Sequence, residues 1–270
     1  LAGFDVVCAM RERTRFPATV LERLPRLQLL VTTGMRNASI DLEAAAARGV
    51  TVCGTEALTH PTAELTWALI LSLARHVPAE DRALREGLWQ TTVGTPLRGR
   101  TLSVLGLGRL GSAVGAVGAA FGMRIVAWSA HLTAERAEAA GAELVGRDEL
   151  FAQADVLTVH LVLSERTRGL VGERELGLMK PTALLVNTSR GPIVDERALV
   201  GALRNGTIAG AGLDVYDREP LPPRHPLVEL PNTVLTPHLG YVTEDGYRVF
   251  YAQTVEDVEA WLAGTPVRVL

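Results

Sequence analysis

Three side chains with complementary chemistry lie in separate polar segments of the second half of the chain: Arg190, Glu219 and His238. A carboxylate beside a histidine favours the protonated imidazole, which suits a proton donor. A guanidinium presents a rigid fork of donors that can bind a carboxylate in a bidentate manner. Together these residue types indicate acid–base chemistry on an anionic substrate.

The three residues follow segments that the sequence predicts to be strands of one parallel sheet. Short apolar runs alternate with helical stretches, which predicts a parallel sheet covered by helices on both faces. Ligands bind at the carboxyl ends of the strands in such sheets, and the polar segments fall there. Six buried strands are expected at 101–105, 124–128, 156–160, 183–187, 210–215 and 233–235.

The rest of the chain is predicted to form a second α/β domain. Its strands are expected at 4–8, 27–32 and 50–53, with helices at 41–48, 61–73 and 243–262. A turn-rich connector at 87–99 indicates the domain boundary. We therefore expect two doubly wound α/β domains (Rossmann- or flavodoxin-like) with an interdomain cleft: a substrate domain of residues 1–94 plus 243–270, and a dinucleotide-binding domain of residues 95–242.

A glycine pattern, Gly106-x-Gly108-x-x-Gly111, directly follows the strand predicted at 101–105 and opens a helix. The first glycine allows a tight turn, the second lets the backbone approach a pyrophosphate, and the third lets helix pack on strand. The N-terminus of the helix then offers N–H groups to the phosphates. This context indicates a dinucleotide site rather than a glycine-rich turn without a ligand.

The choice between NAD and NADP is expected to depend on Ser129. An acidic residue about 20 positions after the glycines normally holds the ribose hydroxyls. Here the second strand ends at Trp128-Ser129, and the next carboxylate is Glu135. An uncharged Ser129 does not repel a 2′-phosphate, and His131 or Arg136 would be near enough to reach one, which favours NADP. A serine can also bond a ribose hydroxyl, so NAD stays open.

The order and spacing of four motifs resemble the D-2-hydroxyacid dehydrogenase family, whose members reduce 2-keto acids to D-2-hydroxy acids. The motifs are the glycine pattern at 106–111, LVNTSRGPI at 185–193, AGLDVYDREP at 211–220 and LTPHLG at 235–240. The resemblance extends over roughly residues 30–262, so it is specific and does not rest on a single motif. It implies a homodimer that forms through the cofactor domain.

The resemblance also implies a role for each site residue. Arg190 would bind the carboxylate and carbonyl oxygen of the substrate, His238 would donate the proton, and Glu219 would orient and charge His238. Asp214 would hold the nicotinamide carboxamide. Backbone N–H groups of Thr33, Gly34 and Met35 would receive the substrate carboxylate. The expected cofactor-binding residues are Gly106, Gly108, Arg109, Leu110, Gly111, Ser129, His160, Thr188, Ser189, Asp214 and Gly240.

Four residues have roles that the sequence leaves open. Arg11 and Arg13 follow the first strand and either face the cleft or are surface charges. Arg36 stands where the family often has an acidic residue. Tyr241 replaces the small residue usual after His-x-Gly, and it either narrows the substrate pocket or caps the returning helix. Since the family usually has a further N-terminal segment with a strand, we expect the chain to lack that segment.

Composition narrows the partners. With 27 Lys plus Arg against 30 Asp plus Glu, the net charge is −3, so no basic face for a nucleic acid is expected. No apolar run approaches the roughly 20 residues of a membrane span. Nothing in the sequence suggests a metal cluster or a secretory leader. We therefore expect a cytoplasmic protein that binds no metal, nucleic acid or membrane.

The predicted function is the NAD(P)-dependent interconversion of a small 2-keto acid, such as glyoxylate, hydroxypyruvate or pyruvate, and its D-2-hydroxy acid. The alternative is a dinucleotide-sensing module, since corepressors of the same fold share the motifs. Formate dehydrogenases pair the catalytic histidine with a glutamine, so Glu219 counts against formate. Phosphite dehydrogenases also resemble the family and stay a minor alternative. The motifs do not specify which 2-hydroxy acid is the substrate.

Overall fold

The computed structural model describes every residue from Leu1 to Leu270. A membrane-spanning helix would need a longer apolar stretch than any helix of this structure has. The strands are β1 (Val6–Ala9), β2 (Leu29–Thr32), β3 (Thr51–Gly54), β4 (Thr101–Leu105), β5 (Arg124–Trp128), β6 (Glu143–Leu144), β7 (Val156–Val159), β8 (Leu184–Asn187), β9 (Gly210–Leu213) and β10 (Thr233–Leu235). The α-helices are α1 (Ala18–Leu21), α2 (Leu42–Ala47), α3 (His60–Ala74), α4 (Val77–Arg85), α5 (Arg109–Ala120), α6 (Ala134–Ala139), α7 (Arg147–Gln153), α8 (Glu173–Leu178), α9 (Glu196–Arg204), α10 (Pro226–Glu229) and α11 (Glu244–Leu262).

Contacts divide the chain into two units, one of residues 1–58 with 241–270 and one of residues 59–240. The sequence predicts a boundary at the connector near residue 94, so the structure differs in where it places residues 59–94. The reason is the packing of α3 against α5, β8 and β9. Trp67 illustrates this packing, because its side chain is buried and its indole N–H donates to Val114 O at 3.1 Å.

In the unit of residues 1–58 and 241–270, β1, β2 and β3 form a parallel sheet in that order, and β2 is buried along its whole length. The helix predicted after Asp41 is present as α2, and Asp41 caps it by accepting a hydrogen bond from Ala44 N. The helix predicted at 243–262 is present as α11. It contacts β2 and β3, and Val258 and Trp261 pack against the cluster that contains Leu29.

In the unit of residues 59–240, β4 to β10 form a seven-stranded parallel sheet with the order β10-β9-β8-β7-β4-β5-β6. The chain extends the sheet to one side of β4 and then returns to the other, so the strand order reverses between β4 and β7. Alternate residues of β4 belong to different core clusters, Val104 to one and Leu105 to the other. Both faces of the sheet are therefore packed, which confirms the predicted doubly wound α/β fold.

The elements that sequence patterns missed are short or polar. β6 has only two residues, both exposed, at one edge of the sheet. In α4, which follows α3 almost directly, Ala83 is the one buried residue, so the helix has no wide apolar face. The strand at 233–235 was expected to be buried, yet all three residues of β10 are half-buried because β10 is the other edge strand.

Candidate active site

Loops at the carboxyl ends of the seven-stranded sheet carry the predicted site residues of this unit. The glycine loop follows β4, and the segment 188–190 follows β8. Because all the strands are parallel, these loops lie along one edge of the sheet. The structure therefore brings the predicted cofactor and acid–base residues of residues 59–240 to one side. Ser129 follows β5, His160 follows β7, Asp214 and Glu219 follow β9, and His238 and Gly240 follow β10.

Each glycine of the dinucleotide pattern has the surroundings that its position requires. Gly106 has φ +105°, and a Cβ there would lie 2.8 Å from the carbonyl oxygen of His160. A Cβ on Gly111 would overlap the carbonyl oxygen of Gly106. Gly108 is different, because no atom lies within 4 Å of its Cβ position. The middle glycine thus borders open space, as close approach of a ligand requires.

The N-terminus of α5 is open to an anion. Gly108 is its N-cap and has no side chain to cap it, so Arg109 and Leu110 begin a helix of 12 residues with uncapped N–H groups. The first N–H groups of a helix carry partial positive charge and attract phosphate. The open position at Gly108 and the uncapped helix end fit the pyrophosphate of a dinucleotide.

Ser129 lies against the same loop. Its hydroxyl accepts a long hydrogen bond, 3.4 Å, from the N–H of Leu107. His131 and Arg136 are both exposed, and Arg136 N donates to Thr133 Oγ1 at the start of α6. No carboxylate occupies the position where an acidic residue would hold ribose hydroxyls. The side chain at this position is the uncharged Ser129.

His238 and Glu219 form the predicted acid–base pair. The distance from His238 Nδ1 to Glu219 Oε2 is 2.6 Å, so Nδ1–H donates to the carboxylate. The other oxygen, Oε1, accepts from Tyr216 N at 3.0 Å. Burial raises the pKa of Glu219, but the hydrogen bond and charge of His238 outweigh it and lower the pKa below its ordinary value. Glu219 is therefore held as a carboxylate, and His238 faces a fixed negative charge.

The segment that carries His238 is held by Asp214. His238 has φ +56°, in the left-handed region, which costs a non-glycine residue roughly 1 kcal/mol or more. Asp214 Oδ1 accepts from Leu239 N at 2.7 Å and from Thr236 Oγ1 at 2.6 Å, and Oδ2 accepts from Gly240 N at 2.9 Å. Burial of this carboxylate raises its pKa, and these hydrogen bonds oppose the rise. Asp214 thus stabilises the strained backbone around His238.

Asn187 shapes the loop that presents Arg190. Its side chain accepts from Ser189 N at 3.0 Å and donates to Arg190 O at 3.0 Å. Ser189 Oγ donates to Leu161 O, which connects this loop to the one that follows β7. The guanidinium of Arg190 donates through Nη1 to Ser189 O at 2.8 Å, and it lowers the pKa of Glu219 as a minor contributor. Arg190 therefore lies within electrostatic range of the pair.

His160 has a different environment from His238. Its Nε2 lies 2.8 Å from the hydroxyl of Thr158, while Nδ1 is buried and has no hydrogen-bond partner. Burial of the ring lowers the pKa of His160 to about 3. The ring is therefore neutral at physiological pH, and one of its nitrogens is left for a ligand or a water molecule.

The predicted substrate loop lies in the unit of residues 1–58 and 241–270, directly after β2. Thr33 N donates to Ala9 O at 3.1 Å, and Gly34 N donates to Thr55 Oγ1 at 2.9 Å. Of the three N–H groups expected to receive a carboxylate, two therefore bind within the protein. Met35 N–H is the one for which the structure shows no acceptor. Arg36, next in the chain, is exposed.

Arg11, Arg13 and Tyr241 form a cluster in this unit. The guanidinium carbons of Arg11 and Arg13 lie 5.6 and 5.9 Å from the centre of the Tyr241 ring. Arg11 Nη1 lies 2.8 Å from the Cβ position of Gly34, so its side chain packs on the Thr33–Met35 loop. Tyr241 does not cap α11, since the side chain of Thr243 does so.

Sequence patterns missed several residues that support the site. Tyr216 N and Thr236 Oγ1 hold the two carboxylates, and both lie inside recognised motifs. Thr62 and Thr66 of α3 were missed altogether. Thr62 Oγ1 donates to Gly240 O at 2.8 Å, and Thr66 Oγ1 lies 2.8 Å from Thr188 Oγ1. The available signal was two threonines at i and i+4 on a largely apolar helix, a spacing that places them on one face.

The site combines a dinucleotide loop, at the point where the strand order reverses, with a histidine–carboxylate pair and an arginine along the same edge of the sheet. This combination defines the class of protein. Such a site transfers hydride and a proton, so the chain is a nicotinamide-dependent oxidoreductase.

Comparisons with known proteins agree with this class. The family described as D-isomer specific 2-hydroxyacid dehydrogenase, NAD binding domain, matches residues 67–240. Glyoxylate reductase from Aeropyrum pernix is 43% identical over 260 residues, covering 93% of this chain and 78% of that protein. D-3-phosphoglycerate dehydrogenase from Archaeoglobus fulgidus is 38% identical, covering 96% of this chain and 50% of that protein. The solved phosphoglycerate oxidoreductase from Vibrio cholerae has a TM-score of 0.93 at 37% identity, covering 97% of this chain and 85% of that one.

The chain belongs to the D-isomer specific 2-hydroxyacid dehydrogenase family. The prediction from the motifs is confirmed: the protein is an NAD(P)-dependent oxidoreductase that interconverts 2-keto acids and 2-hydroxy acids. The dinucleotide-sensing alternative is not favoured.

Proposed function

We propose that this protein reduces a small 2-keto acid such as glyoxylate, hydroxypyruvate or pyruvate to its D-2-hydroxy acid, with His238 as the proton donor. The observation that carries the proposal is the 2.6 Å hydrogen bond between His238 Nδ1 and Glu219 Oε2. Because Nδ1 is engaged by the carboxylate, transfer of the proton to the carbonyl oxygen falls to Nε2. Glu219 then stabilises the positive charge of the ring.

Arg190 is proposed to bind the carboxylate and the carbonyl oxygen of the substrate. Its backbone is fixed by Asn187, and its Nη1 is held by Ser189 O, so the guanidinium is oriented before substrate arrives. A planar guanidinium suits a 2-keto acid, whose carboxylate and carbonyl oxygens lie in one plane. Of the expected loop residues Thr33, Gly34 and Met35, Met35 is proposed to supply the backbone contact to the carboxylate, because the N–H groups of the other two already have acceptors within the protein.

The nicotinamide supplies the hydride when it is bound. Gly106, Gly108 and Gly111, with the N–H groups of Arg109 and Leu110, are proposed to bind the pyrophosphate. Asp214 is proposed to hold the carboxamide. The other proposed cofactor contacts are Ser129, His160, Thr188, Ser189 and Gly240.

NADP is proposed as the preferred cofactor. The support is the uncharged Ser129 beside the glycine loop, with exposed His131 and Arg136 after it. A Ser129→Asp change would place a carboxylate where the 2′-phosphate is expected. We expect this change to weaken NADPH binding by about tenfold or more relative to NADH. An equal effect on the binding of NADPH and NADH would show that Ser129 does not determine the choice between them.

The test of the function is absorbance at the reduced-nicotinamide band with glyoxylate, hydroxypyruvate and pyruvate, each with NADH and with NADPH. Oxidation of the reduced cofactor with one or more of these acids is the expected result. Faster oxidation of NADPH would support the proposed preference. Absence of turnover with every pair, despite measurable cofactor binding, would overturn the substrate proposal.

A homodimer is also proposed, as is a cytoplasmic location. Exposed apolar side chains are concentrated at 77–93, where Trp89 is 77% and Val93 is 92% exposed, and Leu84 and Leu88 are exposed as well. Apolar groups clustered on a surface mark an interaction site, and a second copy is the simplest self-complementary partner. Light scattering should show a dimer that Trp89→Ser weakens and the control Val255→Ser does not, since Val255 is exposed on α11. A wild-type monomer would overturn this proposal.

A further inference from the structure

The two threonines of α3 hold the two loops that carry the proposed chemistry. Thr66 is fully buried, and its Oγ1 lies 2.8 Å from Thr62 O and 2.8 Å from Thr188 Oγ1. Thr62 Oγ1 donates to Gly240 O, whose own N–H donates to Asp214. One face of α3 therefore contacts both the loop after β8 and the segment after β10.

The direction of the hydrogen bonds around Thr66 follows from the number of protons. A threonine hydroxyl has one proton, and a carbonyl oxygen only accepts. If Thr66 donated to Thr188, its oxygen would face Thr62 O at 2.8 Å without a proton between them. The arrangement that satisfies both contacts has Thr188 donating to Thr66 and Thr66 donating to Thr62 O. Thr188 then has only lone pairs left to offer.

We propose that Thr66 is a positioning residue of the cofactor site, which fixes the Thr188 hydroxyl as a hydrogen-bond acceptor. The inference rests on the proposed role of Thr188 in cofactor binding and adds the polarity of that contact. An acceptor oxygen repels phosphate oxygens, so Thr188 contacts a donor group of the dinucleotide. The donors in its nicotinamide half are the ribose hydroxyls and the carboxamide N–H₂.

The matched variants are Thr66→Val, which removes the hydroxyl but keeps the shape, and Thr66→Ser, which keeps the hydroxyl. Calorimetric titration of the full chain with NADPH and NADH gives the Kd of each. We expect Thr66→Val to weaken binding about 3- to 10-fold and Thr66→Ser to stay close to wild type. Thermal unfolding without cofactor reports whether each variant is folded. Because Thr62 still anchors Gly240, the effect should fall on Kd rather than on kcat at saturating cofactor.

A double-variant cycle distinguishes positioning from general destabilisation. In a Thr188→Val background, Thr66→Val should cause no further loss of affinity, since the group that it orients is absent. An equal additional loss in that background, or an unchanged Kd for Thr66→Val alone, would overturn the inference. Failure of the wild type to bind either cofactor would instead overturn the proposed dinucleotide function.

The donor group is identified with the 3-acetylpyridine analogue of the cofactor, which lacks the amide N–H₂. If Thr188 accepts from the carboxamide, the loss caused by Thr66→Val should disappear with this analogue. If it accepts from a ribose hydroxyl, the loss should persist. Either result supports an acceptor role for the Thr188 hydroxyl. The difference between the two results identifies the cofactor group that donates to it.

Discussion

Two histidines at the carboxyl edge of the seven-stranded sheet have opposite environments. His238 is bonded through Nδ1 to the carboxylate of Glu219. His160 is bonded to the hydroxyl of Thr158, has a buried and unpaired Nδ1, and has its pKa lowered to about 3 by burial. A carboxylate partner favours a charged ring, whereas burial favours a neutral one. We therefore propose that His238 transfers the proton and that His160 makes a neutral contact to the cofactor.

The largest expected effect separates the two histidines directly. His238→Gln should lower kcat by about 10²- to 10⁴-fold, because it removes the proposed proton donor, while the Kd of the cofactor changes little. His160→Gln should do the reverse and weaken cofactor binding while retaining most of kcat at saturation. Steady-state kinetics and a fluorescence titration measure the two quantities. A His238→Gln variant with wild-type kcat would contradict the assignment.

The next prediction concerns Glu219, the carboxylate partner of His238. The two oxygens of Glu219 accept from Tyr216 N and His238 Nδ1. A glutamine has one oxygen and one amino group, so one of these donors would lose its acceptor and the ring would lose its counter-charge. Glu219→Gln should therefore lower kcat/KM by about 10- to 100-fold in both directions of the reaction, because the equilibrium constant fixes their ratio.

A control for this change exists in the same unit. Glu196 Oε1 lies 3.0 Å from His225 Nε2, so it also pairs with a histidine. Glu196→Gln should leave kcat/KM near wild type. Equal losses of kcat/KM in Glu196→Gln and Glu219→Gln would show that the effect is structural. That result would contradict a specific role for the Glu219–His238 pair.

Sequence patterns predicted the pairing of His238 with Glu219 but not the different environment of His160. Glu219 and His238 belong to motifs at fixed spacing, and each motif follows a strand with a clear apolar run, so their meeting at one edge was predictable. The low pKa of His160 follows from the burial of its ring, which no local pattern records. Thr62 and Thr66 were missed because α3 was expected to lie in the other domain.

The next prediction tests whether the glycine loop after β4, which lies beside His160, binds the cofactor. Gly108 has φ −90° and open space at its Cβ position, so alanine should fold there without strain and intrude only on a ligand. Gly108→Ala should raise the Kd of the cofactor about tenfold or more and leave thermal unfolding unchanged, resembling His160→Gln rather than His238→Gln.

Gly111→Ala is the contrasting variant, since its Cβ would overlap Gly106 O, and it should lower the unfolding temperature of the cofactor-free protein. If Gly108→Ala also lost stability and kept its cofactor affinity, the open space at Gly108 would not be a binding surface.

The smallest expected effect concerns the protonation of His160 itself. A histidine has a pKa near 6.5 in the unfolded chain, whereas that of folded His160 is lowered to about 3. Between these values the unfolded state binds a proton that the folded state does not, so stability rises with pH and falls on acidification. The contribution is at most about 2 kcal/mol between pH 6.5 and pH 5.

Urea unfolding at the two pH values should therefore show a smaller loss of stability for His160→Gln than for wild type. His131→Gln, at an exposed histidine, should behave as wild type. If His160→Gln lost as much stability as wild type, the ring of His160 would be taking up a proton in the folded protein, and the contrast with His238 would fail.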